Sequence, residues 1–201
     1  ALDTAIGRVL NRLKTAGVER DTLVIFTSDN GGERFSNTWP FIGAKGELLE
    51  GGLRVPLIAR WPAHIQPGRR SDQLMMSMDF LPTLLAAAGA APDPGFPPDG
   101  ENLLPVLLGQ QSPHMRKVFW RYKASEQAVA REGDWKYLKM ANQEFLFNVA
   151  EDQRERANLK GKMPELFERL KREYAVWNAA MLPYPADSFS ESPRGQWADR
   201  Y

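Results

Sequence analysis

The sequence predicts an α/β protein. Three observations carry this: a helical stripe of apolar residues at the start, short unbroken apolar runs that suit covered strands, and alternation of the two through the first half. Leu2, Ile6, Val9, Leu10 and Leu13 recur at helical spacing until Gly17, so a helix is expected over roughly residues 1–16. Leu23-Val24-Ile25-Phe26 has no polar alternation and reads as a central parallel strand covered on both faces. Residues 54–60 read as a second strand, with Pro56 at its start or on an edge. Ser77 to Gly89 reads as a helix capped by Ser77 or Asp79, with Pro82 in its early turns and Gly89 as its stop.

The pattern changes at Ala91 to Gly100, where Pro92, Pro94, Pro97 and Pro98 stiffen a loop or linker. Beyond it, Val118-Phe119-Trp120, Ala128-Val129-Ala130, Trp135 to Leu138 and Phe145-Leu146-Phe147 are short β-prone runs separated by turn residues such as Glu132-Gly133-Asp134. They predict a small antiparallel meander, with Trp120, Tyr122, Trp135 and Tyr137 in its core. An amphipathic helix is expected over residues 163–180, opened by Pro164 and carrying Leu166, Phe167, Leu170, Tyr174 and Trp177 on one side. From Pro183 the chain reads as a draped tail. The expected organisation is therefore an α/β part over residues 1–110 and a subdomain over 111–201.

Bulk properties narrow the function classes. Lys plus Arg number 26 and Asp plus Glu 25, so no one-signed field favours nucleic acid or an anionic membrane. The apolar run around Leu84 to Ala91 is far shorter than the ~20 residues of a spanning helix, and a small-molecule partner fits better. Without cysteine there are no disulfides and no thiolate ligands. The chain opens inside an amphipathic helix with no N-cap and no leader-like charged start, which reads as the continuation of something upstream.

Chemistry concentrates between Thr22 and Arg54. Ser28-Asp29-Asn30-Gly31-Gly32 follows the first strand, where open α/β sheets place their ligands. Asp29 and Asn30 offer one anionic and one neutral oxygen, suited to Ca²⁺ or Mg²⁺, although the same residues before Gly-Gly also make ordinary turns. Two side chains fall short of the roughly 6–8 oxygens Ca²⁺ takes, so further ligands must come from elsewhere. Lys45, flanked by Gly43-Ala44 and Gly46, presents a point charge to an oxyanion if it is not simply solvated. Glu50 and Arg54 read as an ion pair bracing a Gly51-Gly52 turn of unusual dihedrals. His64 and His114 each lie in a proline-flanked loop and read as surface or anchoring groups, and Asp79 reads as a helix cap.

Taken in order, Thr27 to Gly32, Ala44-Lys45-Gly46 and Glu50-Gly51-Gly52-Leu53-Arg54-Val55-Pro56 resemble the C-terminal half of a formylglycine-dependent sulfatase of the arylsulfatase type. Asp79 to Leu84, Asp99 to Pro105, Phe145 to Val149 and Glu155 to Leu159 resemble that family's later segments, so the likeness covers nearly the whole chain. The resemblance implies the C-terminal half of an alkaline-phosphatase-like α/β/α sandwich, followed by a small antiparallel subdomain with a packed C-terminal helix. It also implies hydrolysis of sulfuric esters, with a sulfate ester or sulfated sugar as substrate. Asp29 and Asn30 would then ligate Ca²⁺ or Mg²⁺, and Lys45 would contact the sulfate.

The family's formylglycine arises from a Cys or Ser in a Cys/Ser-x-Pro-x-Arg motif, and this chain has neither Cys nor Ser-x-Pro-x-Arg; Ser192-Pro193-Arg194 is a different pattern. The nucleophile is thus expected in an N-terminal half of the same protein, which becomes the implied partner, and the chain is expected to be inactive alone. Two rival readings stand beside this one. The first is a phosphodiesterase or phosphonate monoester hydrolase of the same superfamily, and the second is a non-catalytic module whose metal site has lapsed.

Overall fold

The computed structural model of the chain describes residues 1–33, 35–185 and 187–188. They form two compact units, Ala1–Thr27 with Leu57–Met115, and Ser28–Pro56 with the chain from Arg116 onward. At class level the fold is the expected α/β.

In the first unit, helix α1 covers Leu2–Thr15 as the apolar spacing predicts, and it ends without burying any residue; Leu2 and Val9 are 66% and 59% exposed. Strand β1 (Val24–Thr27) pairs with β2 (Leu57–Arg60) in antiparallel register, Phe26 opposite Ile58. This corrects the expectation of a central parallel strand covered on both faces, since Phe26 and Ile58 are both exposed on one face of a two-stranded ribbon. A run without polar alternation reports apolar faces, and it cannot report strand direction.

A 3₁₀ turn at Ser77–Asp79 leads into α3 (Phe80–Ala87), and Gly89 with φ +70° ends the helix in the left-handed conformation that its missing Cβ permits. Asp79 is fully buried and does more than cap. Its Oδ2 accepts the Met76 N–H at 2.7 Å and its Oδ1 accepts the Glu101 N–H at 2.8 Å. The buried Thr83 hydroxyl accepts the Leu103 N–H, so the proline-rich loop is pinned at its far end to α3, just before α4 (Leu104–Leu108). His114 meets the Glu101 carboxylate at 2.7 Å and His64 packs on Trp61, in keeping with anchoring roles.

The second unit contains the expected meander: β3 (Lys117–Tyr122), β4 (Gln127–Glu132), β5 (Trp135–Met140) and β6 (Gln143–Asn148), each antiparallel to the next. Period-2 alternation gives the sheet two covered faces. On one face Ala130, Tyr137 and Leu146 pack against Phe167 and Leu170 of α5 (Pro164–Ala179), the helix that the apolar spacing predicts almost to the residue. On the other, Val129, Leu138, Met140 and Phe147 pack against Leu48 and Leu49, with Ile42 and Leu53 packed against the cluster. Each such fully buried side chain contributes about 1.5–3 kcal/mol relative to an exposed one, so segment 41–53 is held by the sheet beneath it.

From β3, Arg121 reaches the Leu182 carbonyl at 2.6 Å and lies over the Tyr184 ring, and Lys123 donates to the Ser188 carbonyl at 2.8 Å. The tail is draped on the meander as far as it is described. Its continuation, with Ser192-Pro193-Arg194, lies outside the described residues.

Candidate metal and anion site

The chain leaving β1 forms a bend in which the Ser28 hydroxyl donates to the Asn30 carbonyl at 2.8 Å, and Asp29 Oδ1 accepts the Asn30 N–H at 3.1 Å. Asn30 Nδ2 donates to the Gly31 carbonyl at 2.8 Å, which fixes the side-chain amide with its Oδ1 turned away from that contact. Asp29 is exposed and Asn30 half-buried. Short Asx side chains bond their own backbone in this way readily, so the turn preference of the sequence and the presentation of oxygens are satisfied together.

Backbone hydrogen bonds bring the separate sequence motifs into one loop cluster. The Gly31 N–H donates to the Gly52 carbonyl at 3.0 Å, the Lys45 N–H donates to the Gly32 carbonyl at 2.9 Å, and the Gly51 N–H donates to the Ile42 carbonyl at 2.7 Å. The Gly31-Gly32 segment that follows Asn30 is thereby tied to the backbone at Lys45 and at Gly51-Gly52. The Lys45 ammonium lies 3.7 Å from the exposed Glu33 carboxylate, a surface pair worth roughly 0–1 kcal/mol that leaves the lysine available to a stronger anion.

The glycines are here because backbones touch. A Cβ on Gly31 would stand 2.0 Å from the Gly51 carbonyl oxygen, and one on Gly52 would stand 2.0 Å from the Glu47 carbonyl oxygen. The Gly51-Gly52 segment is one helical turn, α2 (Glu50–Leu53), with no left-handed residue in it, so the expected unusual dihedrals are not what it needs. The expected Glu50–Arg54 ion pair is also replaced. Arg54 lies over the Phe41 ring at 4.8 Å, and Glu50 turns inward to Lys136 at 2.9 Å and Arg131 at 3.2 Å.

That inward group is what sequence reasoning missed. Lys136 is fully enclosed, with Glu50 Oε1 at 2.9 Å and Glu155 Oε1 at 2.8 Å, while Glu155 Oε2 accepts the Glu50 N–H at 2.6 Å. Burial pushes the Glu155 carboxyl above its ordinary range, aided by the Glu50 charge and opposed by Lys136. Burial raises Glu50 as well, but Lys136 and Arg131, with a smaller contribution from the Arg54 charge, outweigh it and hold that carboxyl low. The one available signal was a lysine at an even position of β5, in step with Leu138 and Met140 on the covered face.

A cleft of about 510 Å³ opens beside the loop cluster, with Asn30, Gly31, Trp39, Phe41 and Arg54 among its walls. Asp29 and Lys45 do not line it. Among the described residues no group of three or more His, Cys, Asp or Glu is placed to hold a metal ion. The oxygens of Asp29 and Asn30 are of the kind that suits a hard cation, and two such side chains fall short of a full coordination shell.

Comparison with known proteins decides the family. The family model described as Sulfatase matches residues 1–90. The chain is 36% identical over 141 residues to N-acetylgalactosamine-6-sulfatase of Mus musculus, and 42% identical over 125 residues to arylsulfatase A of Homo sapiens. The chain belongs to the sulfatase family. These matches cover 67% and 59% of the sulfatase chain but 27% and 24% of the relatives, so it spans about a quarter of the curated proteins it matches.

Among solved structures, the sulfatase chain superposes on Ps i-CgsB in complex with k-i-k-neocarrahexaose at TM-score 0.79 and 31% identity, over 87% of this chain and 40% of that one. A phosphonate monoester hydrolase from Silicibacter pomeroyi matches at TM-score 0.68 and 26% identity, over 90% of this chain and 39% of that one. Such neighbours agree with an alkaline-phosphatase-like α/β fold, and family membership implies a metal ion and a formylglycine in general terms.

Proposed function

We propose that the protein to which this chain belongs hydrolyses sulfuric esters, with Asp29 and Asn30 supplying part of the ligand set of a Ca²⁺ or Mg²⁺ ion and Lys45 contacting the sulfate. The observation that supports the reading is the main-chain link from the Lys45 N–H to the Gly32 carbonyl, two residues after Asn30, which brings the two motifs into one loop cluster. The bound ion supplies Lewis-acid polarisation of the ester oxygens. Lys45 holds negative charge on the sulfate as it leaves, and the Asx turn holds the oxygens of Asp29 and Asn30 in place before substrate arrives, so little reorganisation is needed at the moment of reaction.

The nucleophile is assigned to an N-terminal half of the same protein, since no residue of this chain lies in a Cys/Ser-x-Pro-x-Arg setting. Residues 1–110 are then the later part of a catalytic α/β domain, and residues 111–201 a C-terminal subdomain. The apolar stripe of α1, in which Leu2 and Val9 are exposed and no residue is fully buried, and the two-stranded β1–β2 ribbon, a size of sheet that is marginal alone, support a missing partner layer. The chain by itself is inactive in this reading. The substrate class is a sulfate ester, for which the sugar-bound Ps i-CgsB neighbour favours a sulfated sugar.

Calorimetry with Ca²⁺ on the full-length protein tests the metal assignment: Asp29→Ala weakens binding by about tenfold or more, and equal affinity with and without the carboxylate would mean the site has lapsed. Turnover of an aryl sulfate by the 201-residue chain alone would refute the split active site. The Silicibacter pomeroyi neighbour keeps a second chemistry in view, because Asp, Asn and Lys serve a phosphoryl group equally well. A full-length enzyme that turns over phosphonate monoesters faster than sulfate esters would favour it.

A further inference from the structure

The four charges clustered between α2 and the sheet, Glu50 of α2 itself among them, have no part in the chemistry just described. Three of them, Glu50, Lys136 and Glu155, are at most 1% exposed, and the fourth, Arg131, keeps 18% of its side chain in solvent. Buried ion groups of this kind are weak sources of stability, because desolvation consumes most of the attraction and an apolar replacement of similar shape is often as stable. What they supply is direction, and the element they direct is one that cannot hold its own shape. Helix α2 is four residues long and half glycine, far below the length at which a helix persists by itself.

Each restraint on α2 has a rigid origin. Lys136 rises from β5 and Arg131 from β4, central strands of the four-stranded meander, and both end on the Glu50 carboxylate. Glu155 accepts the first N–H of the turn at 2.6 Å. At the other end of the turn the Gly52 carbonyl receives the Gly31 N–H at 3.0 Å, and the space between Gly31 and Gly51 is too small for a methyl group. A shift of α2 by an ångström therefore moves Gly31, and Gly31 is adjacent to Asn30.

We propose that Lys136, with Glu155, is a positioning residue for the Asp29-Asn30 bend: the ion cluster locks α2 to the sheet, and α2 locks the two oxygen-bearing side chains. The proposal rests on the reading that Asp29 and Asn30 hold a divalent metal ion. Neither Lys136 nor Glu155 touches that metal or the substrate. They act through about three residues of backbone.

The experiment is Ca²⁺ calorimetry on the full-length protein, well below the thermal midpoint of each variant, with aryl sulfate kinetics alongside. Lys136→Met with Glu155→Gln removes one charge of each sign, and the glutamine keeps an acceptor for the Glu50 N–H. The expected result is a Ca²⁺ dissociation constant raised about tenfold, as removal of a supporting partner of a metal ligand typically does. In that result kcat falls while KM for the ester changes little. A folded double variant with Ca²⁺ affinity within about twofold of the parent overturns the proposal and leaves the cluster a structural feature only. Asp29→Ala is measured beside it: affinity unchanged in both variants overturns the metal reading itself, whereas affinity lost only in Asp29→Ala overturns positioning alone. Should the double variant not fold, Arg131→Gln, at the more open end of the cluster, carries the test. A several-fold weaker Ca²⁺ affinity there supports positioning, and none overturns it.

Discussion

A Cβ placed on Gly52 would meet the Glu47 carbonyl oxygen at 2.0 Å and the Ala44 carbonyl oxygen at 2.5 Å, and neither contact is with a flexible side-chain end. Gly52→Ala must therefore displace backbone, and it is expected to destabilise by at least the roughly 1–3 kcal/mol of an overpacked core, read as a lowered urea midpoint with an unchanged slope. Lys136→Met alone is more severe in kind. It leaves Glu155 buried without its cation, a loss on the order of 3–5 kcal/mol, and adding Glu155→Gln should recover much of it in the same urea titration. If the single variant were as stable as the parent, the cluster would have to be more hydrated than its enclosure suggests. Of these residues, Asp29, Asn30 and Lys45 were legible as candidates because residue type and glycine neighbours announce their chemistry. Glu50 was legible only as a charge in a glycine turn, with its partner misjudged, since the sequence places Arg54 four residues away and Lys136 much further on.

At the scale of elements, α5 and the meander are the best-read part of the chain, because both periodicities run unbroken there. Leu170 is fully buried between α5 and the sheet, so Leu170→Ala should cost about 2–5 kcal/mol in equilibrium unfolding, and a near-neutral result would mean that the helix is not seated on the sheet. Glu132 at the end of β4 ties the same elements by charge. The Arg169 guanidinium of α5 and the Lys117 ammonium of β3 hold its carboxyl down at about 2. Because the folded state depresses this group, its contribution is present above its ordinary value of 4.5 and is lost as pH falls from there toward 2. In Glu132→Gln the thermal midpoint should be lower at neutral pH, and its fall between those two values correspondingly shallower. An unaltered pH profile would separate Glu132 from the docking of α5. The β1–β2 ribbon was the poorly read element, as apolar content without alternation is the same for parallel and antiparallel neighbours.

At the scale of the molecule, the described residues make two compact units, and the segment that bears the candidate site, residues 28–56, belongs with the meander although it follows β1 in sequence. Assigning that segment to an α/β part ending near residue 110 follows chain order, whereas compactness follows contacts. The sheet edges of β1 and β2 that face no strand among the described residues yield the prediction proper to this scale. In the full-length protein their outward amides should exchange with deuterium at least tenfold more slowly than in the 201-residue chain, because an N-terminal layer would complete the sheet. Equal exchange in both would argue against that layer.

The sequence by itself determined most of the kinds of element, the candidate motifs, the family they resemble and the chemical character of Asp29, Asn30 and Lys45, all of which follow from residue type and local spacing. Tertiary structure alone decided what lies beneath them. Lys136 and Glu50 are 86 residues apart and Glu155 and Glu50 are 105 apart, and at such separations no periodicity records that they meet. Alternation along β5 states which side chains share a face. Only the fold states that this face is covered, and a covered lysine must find its carboxylates.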